Sequence, residues 1–188
     1  MTTDDKNPHV REIIATFTDS KKLCTAIDEL SAAGFTAECI DLLASDDAVT
    51  EKLPDIYHRV NTNKDADDGP PVEYVAKETV GESFRNMIGA MGWYGATLGG
   101  GVLLISAGLI GSPILAALAA APAVGGAVGV VAKKLQQNEA EALKEQIDLG
   151  HILLFVRTDL PEQEERAALI LQKYSIQDLT IVDAPQAA

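Results

Sequence analysis

The stretch "VREIIATFTDSKKLCTAIDELSAAGFTAECIDLLAS", Val10–Ser45, changes its hydrophobic period twice. "VREIIATF" is short, β-branched and aromatic, which predicts a strand. Thr18, Asp19 and Ser20 offer oxygens for a helix N-cap, and Leu23, Ile27 and Leu30 then recur at helical spacing until Gly34 stops them. "FTAECIDLLA" predicts a second strand, so the stretch is a β-α-β unit.

Near the other end the same order returns. "HILLFVRT" is a strand, "DLPEQEERAALILQKY" a helix with Asp159 as cap and Pro161 in its first turn, and "IQDLTIVDA" a strand again. Ala167, Leu169, Ile170 and Leu171 form the apolar side of that helix, and Glu162, Glu164, Glu165 and Arg166 its solvated start. Two such halves predict an α+β fold, a ferredoxin-like split β-α-β sandwich with one antiparallel sheet and both helices on one face. The first and third strands should be central, since "EIIATF" and "HILLFV" are continuously apolar while "TAECIDLL" and "LTIVDA" mix in acids. In the third strand Ile152, Leu154 and Val156 point to one face and Leu153 and Phe155 to the other. Two helices cover one face only, so the second face should meet another subunit or part of the intervening chain.

That intervening chain divides the molecule into four parts: a first β-α-β half over 9–45, an acidic polar linker over 46–86, a Gly/Ala-rich apolar segment over 87–134, and a connecting helix with the second half over 135–184. The linker reads as a short polar helix near Asp46–Leu53 and a charged loop closed by Gly69, Pro70 and Pro71. In the connecting helix, "LQQNEAEALKEQIDLG", Leu143 and Ile147 make a thin apolar edge, with no breaker before Gly150.

The apolar segment has 24 residues without a charge from Met87 to Ile110 and 19 from Ile114 to Ala132. About 20 apolar residues suffice for a helix to cross a bilayer, so the two pieces predict an apolar helical hairpin turning at Gly111, Ser112 and Pro113. The many glycines suit close helix packing better than a water-exposed helix. Gly92, Ala96 and Gly100 are spaced four apart, as are Ala117, Ala121, Gly125 and Gly129, giving each helix a smooth packing ridge. Lys77, Arg85, Lys133 and Lys134 flank the hairpin and predict cytoplasmic ends. The second piece, mostly Ala and Gly with Pro122 near its middle, is the weaker span. The same hairpin would also serve as the buried core of a soluble oligomer.

Composition narrows the function classes. With 15 Lys and Arg against 28 Asp and Glu, a net charge of −13 and no basic stripe, nucleic acid is not an expected partner. The acidic start "MTTDDKNPHVREI" has no export-signal pattern. Cys24 and Cys39 lack a C-x-x-C spacing and read as reduced thiols in apolar settings. His9, His58 and His151 are scattered, Asp55 with His58 makes at most a pair, and "GATLGGG" lacks the Lys-Ser/Thr of a phosphate loop. Glu141 with Glu145, like the glutamates at 162, 164 and 165, lies in polar surroundings that would not separate two carboxyl pKa values. The reading is therefore non-enzymatic, with no catalytic residue, cofactor, metal or small-molecule substrate assigned.

"IATFTDSKKLCTAIDELSAAGF", the Gly/Ala-rich middle and "EALKEQIDLGHILLFVRTD" together resemble the bacterial general stress protein family, also described as heat-induced or low-temperature-induced stress proteins, over Val10–Asp183. The resemblance implies a role in stress tolerance, no established enzymatic activity, and membrane association or self-assembly through the middle segment. It brings no functional residues. The acidic linker with Gly69, Pro70 and Pro71 departs from shorter members of that family. The expectation is a stress-associated protein on the cytoplasmic side of the inner membrane, held to lipid by the hairpin and acting as a homo-oligomer. The alternative is a soluble cytoplasmic homo-oligomer or shell, its hairpins packed together. A ligand-sensing domain using a cleft between sheet and linker is a third reading.

Overall fold

The computed structural model describes residues 10–54, 57–60, 73–76, 92–98, 101–107 and 137–183. The fold is α+β, built on four antiparallel strands: β1 (Arg11–Phe17), β2 (Ile40–Ser45), β7 (Ile152–Thr158) and β8 (Thr180–Asp183). β7 lies between β1 and β2, and β1 between β7 and β8, with Ala15 and Leu42 both opposite Leu154. β1 and β2 therefore run the same way on either side of β7. The most apolar strands are central because both their faces are buried.

The helix α1 (Ser20–Ala32) starts at Asp19, whose Oδ1 accepts from the backbone N–H of Lys21 at 2.7 Å and of Lys22 at 3.1 Å. Its buried residues Leu23, Ala26, Ile27 and Leu30 recur at i, i+3, i+4 and i+7, one stripe of a helix. Gly34, at φ +94°, ends it in a left-handed turn that returns the Phe35 N–H to the Leu30 carbonyl at 3.1 Å. Phe35 is buried there. The late helix α4 (Pro161–Leu171) uses Pro161 in its first turn, as expected, but its N-cap is Leu160 and not Asp159. The Asp159 carboxylate stands 3.6 Å from Arg157, and its backbone N–H donates to Gln163 Oε1. α4 buries Ala167, Ile170 and Leu171, while Leu169, assigned to the apolar side from the sequence, is 60 % exposed. Together α1 and α4 pack on the sheet face bearing Ile13, Ala15, Phe17, Ile152, Leu154 and Val156.

The opposite face is also buried, with Ile14, Leu43, Leu153 and Phe155 at 3 % exposure or less. The connecting helix α3 (Gln137–Asp148) packs against β7 and β2 on the chain's way into the third central strand.

The middle of the chain differs from the reading above. The helix α2 (Asp46–Lys52) stands where a short polar helix is expected, capped by Ser45 Oγ, but Ala48, Val49 and Leu53 enter the main core. The region read as linker also contains the strands β3 (Tyr57–Val60) and β4 (Glu73–Ala76), which pair antiparallel. Within the run read as the first helix of an apolar hairpin, β5 (Gly92–Leu98) and β6 (Gly101–Ala107) are strands instead. They pair from Gly92 opposite Ala107 to Leu98 opposite Gly101, and β6 continues onto β2 with Ile105 opposite Leu43. Among the described residues the sheet has eight strands in the order β3-β4-β5-β6-β2-β7-β1-β8. β2 is consequently interior and not an edge.

The physical reason lies in the same glycines. Each costs about 1 kcal/mol in a helix, and "VLLI" supplies the branched apolar residues that favour a strand.

Candidate functional site

Among the described residues the fold holds four polar constellations. The first ties the helical layer to the sheet edge. Arg11 of β1 donates through one Nη1 to both oxygens of Glu164 at 2.8 and 2.9 Å, and its Nε stands 3.4 Å from Asp183 of β8. It fixes α4 and β8 against β1 and offers no free acid or base.

The second joins the two helices. Glu29 of α1 accepts from Lys173 Nζ at 2.8 Å and from the Tyr174 hydroxyl at 2.5 Å. Those two donors hold the Glu29 carboxyl below its ordinary range, and the carboxylate in turn raises the ammonium and phenol of its partners. Arg166 adds a bond to the Ala33 carbonyl at 3.1 Å, at the C-terminal end of α1. Each group is stabilised in its resting charge state, the reverse of what proton transfer near neutral pH requires.

The third lies on the sheet face opposite α1 and α4, where Glu12 of β1 and Asp41 of β2 are both buried, at 0 % and 2 % exposure. Arg157 of β7 stands opposite Glu12 in register, while Asp41 stands opposite Phe155. Two acids therefore flank one cation across three adjacent strands. From sequence the acid in the second strand reads as an edge signal, whereas the register puts Glu12 and Asp41 on one face. The available signal was their even spacing from Ile14 and Leu43.

The fourth is a turn. α3 ends at Gly150, with φ +71°, and the His151 backbone N–H returns to the Gln146 carbonyl at 2.9 Å. Lys52, the last residue of α2, donates its ammonium to the Gly150 carbonyl. The His151 ring nitrogen Nδ1 lies 2.7 Å from Gln146 Oε1, and Gln146 is buried. Burial, with the Lys52 charge as a smaller cause, lowers the His151 pKa below its usual value.

An open depression beside β8 is lined by Gln172, Ser175, Ile176, Gln177 and Ile181. Its hydroxyl is committed: Ser175 Oγ donates to the Gln177 carbonyl at 2.8 Å and accepts from the Thr16 N–H at 3.2 Å. No group of three or more His, Cys, Asp or Glu side chains gathers as a metal site among the described residues. Among the same residues no helix is long and apolar enough to cross a membrane.

No family model, no curated protein and no solved structure matches this chain.

Of the residues assigned to helix packing, Gly92 and Ala96 are described, and both lie in strand β5. Their spacing of four puts them on one face of a strand as readily as on one side of a helix. Gly100, Ala117, Ala121, Gly125 and Gly129 lie outside the described residues, as do the turn at Gly111, Ser112 and Pro113 and the flanking Lys77, Arg85, Lys133 and Lys134. His58 is in β3, away from the His151 turn in the strand order, while His9 and Asp55 are outside the described residues.

Cys24 and Cys39 are free thiols, each partly buried against the core. Burial first, then the Asp28 charge, pushes the Cys24 thiol up to about 11. Since the thiolate is the reactive form, Cys24 in the native protein should alkylate with iodoacetamide about 100-fold more slowly than an unperturbed thiol near pH 8. Mass-spectrometric labelling with and without denaturant reads this directly, and native labelling at the denatured rate would overturn it.

Proposed function

We propose that this chain is a non-enzymatic, stress-associated homo-oligomer whose apolar insert serves assembly. The order β8-β1-β7-β2, with α1 and α4 on one face, supports a ferredoxin-like arrangement of the two β-α-β halves. The observation that carries the assembly reading is the pairing of β6 with β2, by which part of the insert extends the domain's own sheet. Beside β8, at the other end of that sheet, Ile176 and Ile181 remain 40 % and 36 % exposed. An apolar surface next to a terminal strand is the kind of surface that a second copy covers. The assignment to a stress role rests on the sequence resemblance alone.

A membrane-held form is the second reading, favoured by the 19 uncharged residues Ile114–Ala132 followed by Lys133 and Lys134. It places the protein on the cytoplasmic side of the inner membrane with lipid as a partner. Fractionation separates the two. Without detergent, the protein is expected in the supernatant, as a defined oligomer by light scattering that persists on dilution. Recovery only from the membrane pellet with detergent would reject the first reading in favour of the second, and a stable monomer would reject assembly.

A further inference from the structure

The turn at Gly150 and His151 joins three elements with few parts. Lys52 reaches it from α2, Gln146 from α3, and His151 itself opens the approach to β7. With Gln146 Oε1 as the acceptor, Nδ1 carries the ring hydrogen, and Nε2 is the position where a further proton would add. A histidine just past a helix C-terminus is ordinarily favoured as a cation by the helix dipole. Here the Lys52 ammonium already occupies that place, bonded to the Gly150 carbonyl, so a second positive charge enters a half-buried turn beside the first.

We propose that this turn is a proton-operated clamp: at neutral pH it holds the end of α3 on β7 and β2, and protonation of His151 beside Lys52 releases that end from the sheet. The charged residues on the converging elements are Asp46, Asp47, Glu51 and Lys52 of α2, Glu139, Glu141, Lys144, Glu145 and Asp148 of α3, and Arg157 of β7. Lys52 is the one whose charge bears on the imidazole, and it opposes protonation. The sign follows from linkage. A histidine that folding holds neutral contributes stability above the ordinary histidine value of 6.5. That contribution is lost as pH falls through this value toward the lowered one, because the unfolded or released turn binds the proton more readily.

Histidine titration by NMR and amide exchange test this on the full-length protein. Protection factors for Leu143–Leu149, corrected for intrinsic exchange, are expected to drop severalfold as pH falls from about 7.5 to about 5, through the range in which a histidine titrates. His151→Gln, which stays neutral, should abolish the drop. Lys52→Met should move the His151 midpoint upward. A His151 midpoint at or above that of free histidine in the unmodified protein overturns the proposal without any variant, and so does an equal drop in His151→Gln. The local exchange readout is the same in a monomer and in an oligomer, so its failure is distinct from failure of the assembly reading.

Discussion

Leu154→Ala is expected to lower the unfolding free energy by about 2–5 kcal/mol, the range for truncating a fully buried leucine whose surroundings cannot collapse onto the space left. Leu154 has no exposed surface, stands between Ala15 and Leu42 in the sheet, and belongs to the core shared with α1 and α4. A domain of this kind has about 5–15 kcal/mol in all, so the change removes a large share of it. Urea unfolding with the slope held constant measures the loss. Leu169→Ala is the control. It truncates the same residue type three-fifths exposed on α4, and should stay within about 0.5 kcal/mol of the parent. Equal effects at the two positions would mean that β7 is not the central strand.

Leu154 also shows what kind of information the sequence carried. In β1, α1 and β7, local pattern and tertiary demand agree. The Leu23–Leu30 stripe, the Asp19 cap, the Gly34 stop and the two-sided apolar run of β7 each point to the same element, and the structure has it. The misreadings fall where one composition serves two geometries. Leu169 looks apolar in a row of four, but the 100° advance per residue turns it away from Ile170 and Leu171. Asp41 looks like an edge marker because acids are scarce in interior strands, and that rule fails once a further strand covers β2. The His151 turn was legible only in part. Gly150 is a visible helix stop, whereas Lys52 is 98 positions away along the chain and no local spacing links it to that carbonyl.

The second large effect tests the most consequential of those geometries. Leu104 of β6 stands opposite both Ala44 of β2 and Gly95 of β5, an interior position with a neighbouring strand on each side. Proline there removes a ladder donor, leaves the facing carbonyl unpaired and fixes φ, so Leu104→Pro should cost about 2–4 kcal/mol and detach the hairpin from β2. Amide exchange at Leu43 and Ala44 should quicken with it, while Leu104→Val leaves both readouts near the parent. Were Met87–Ile110 a membrane helix instead, a proline within it would be tolerated and exchange in β2 would not respond. Unchanged stability and unchanged exchange in Leu104→Pro would therefore return the first apolar run to the bilayer. The expected loss has the opposite consequence. With β6 in the sheet, a membrane-held form must rest on Ile114–Ala132 alone, a run of mainly Ala and Gly with Pro122 inside it. Such residues contribute little to insertion compared with Leu, Ile, Val or Phe, so that outcome would favour the proposed assembly over the membrane-held form.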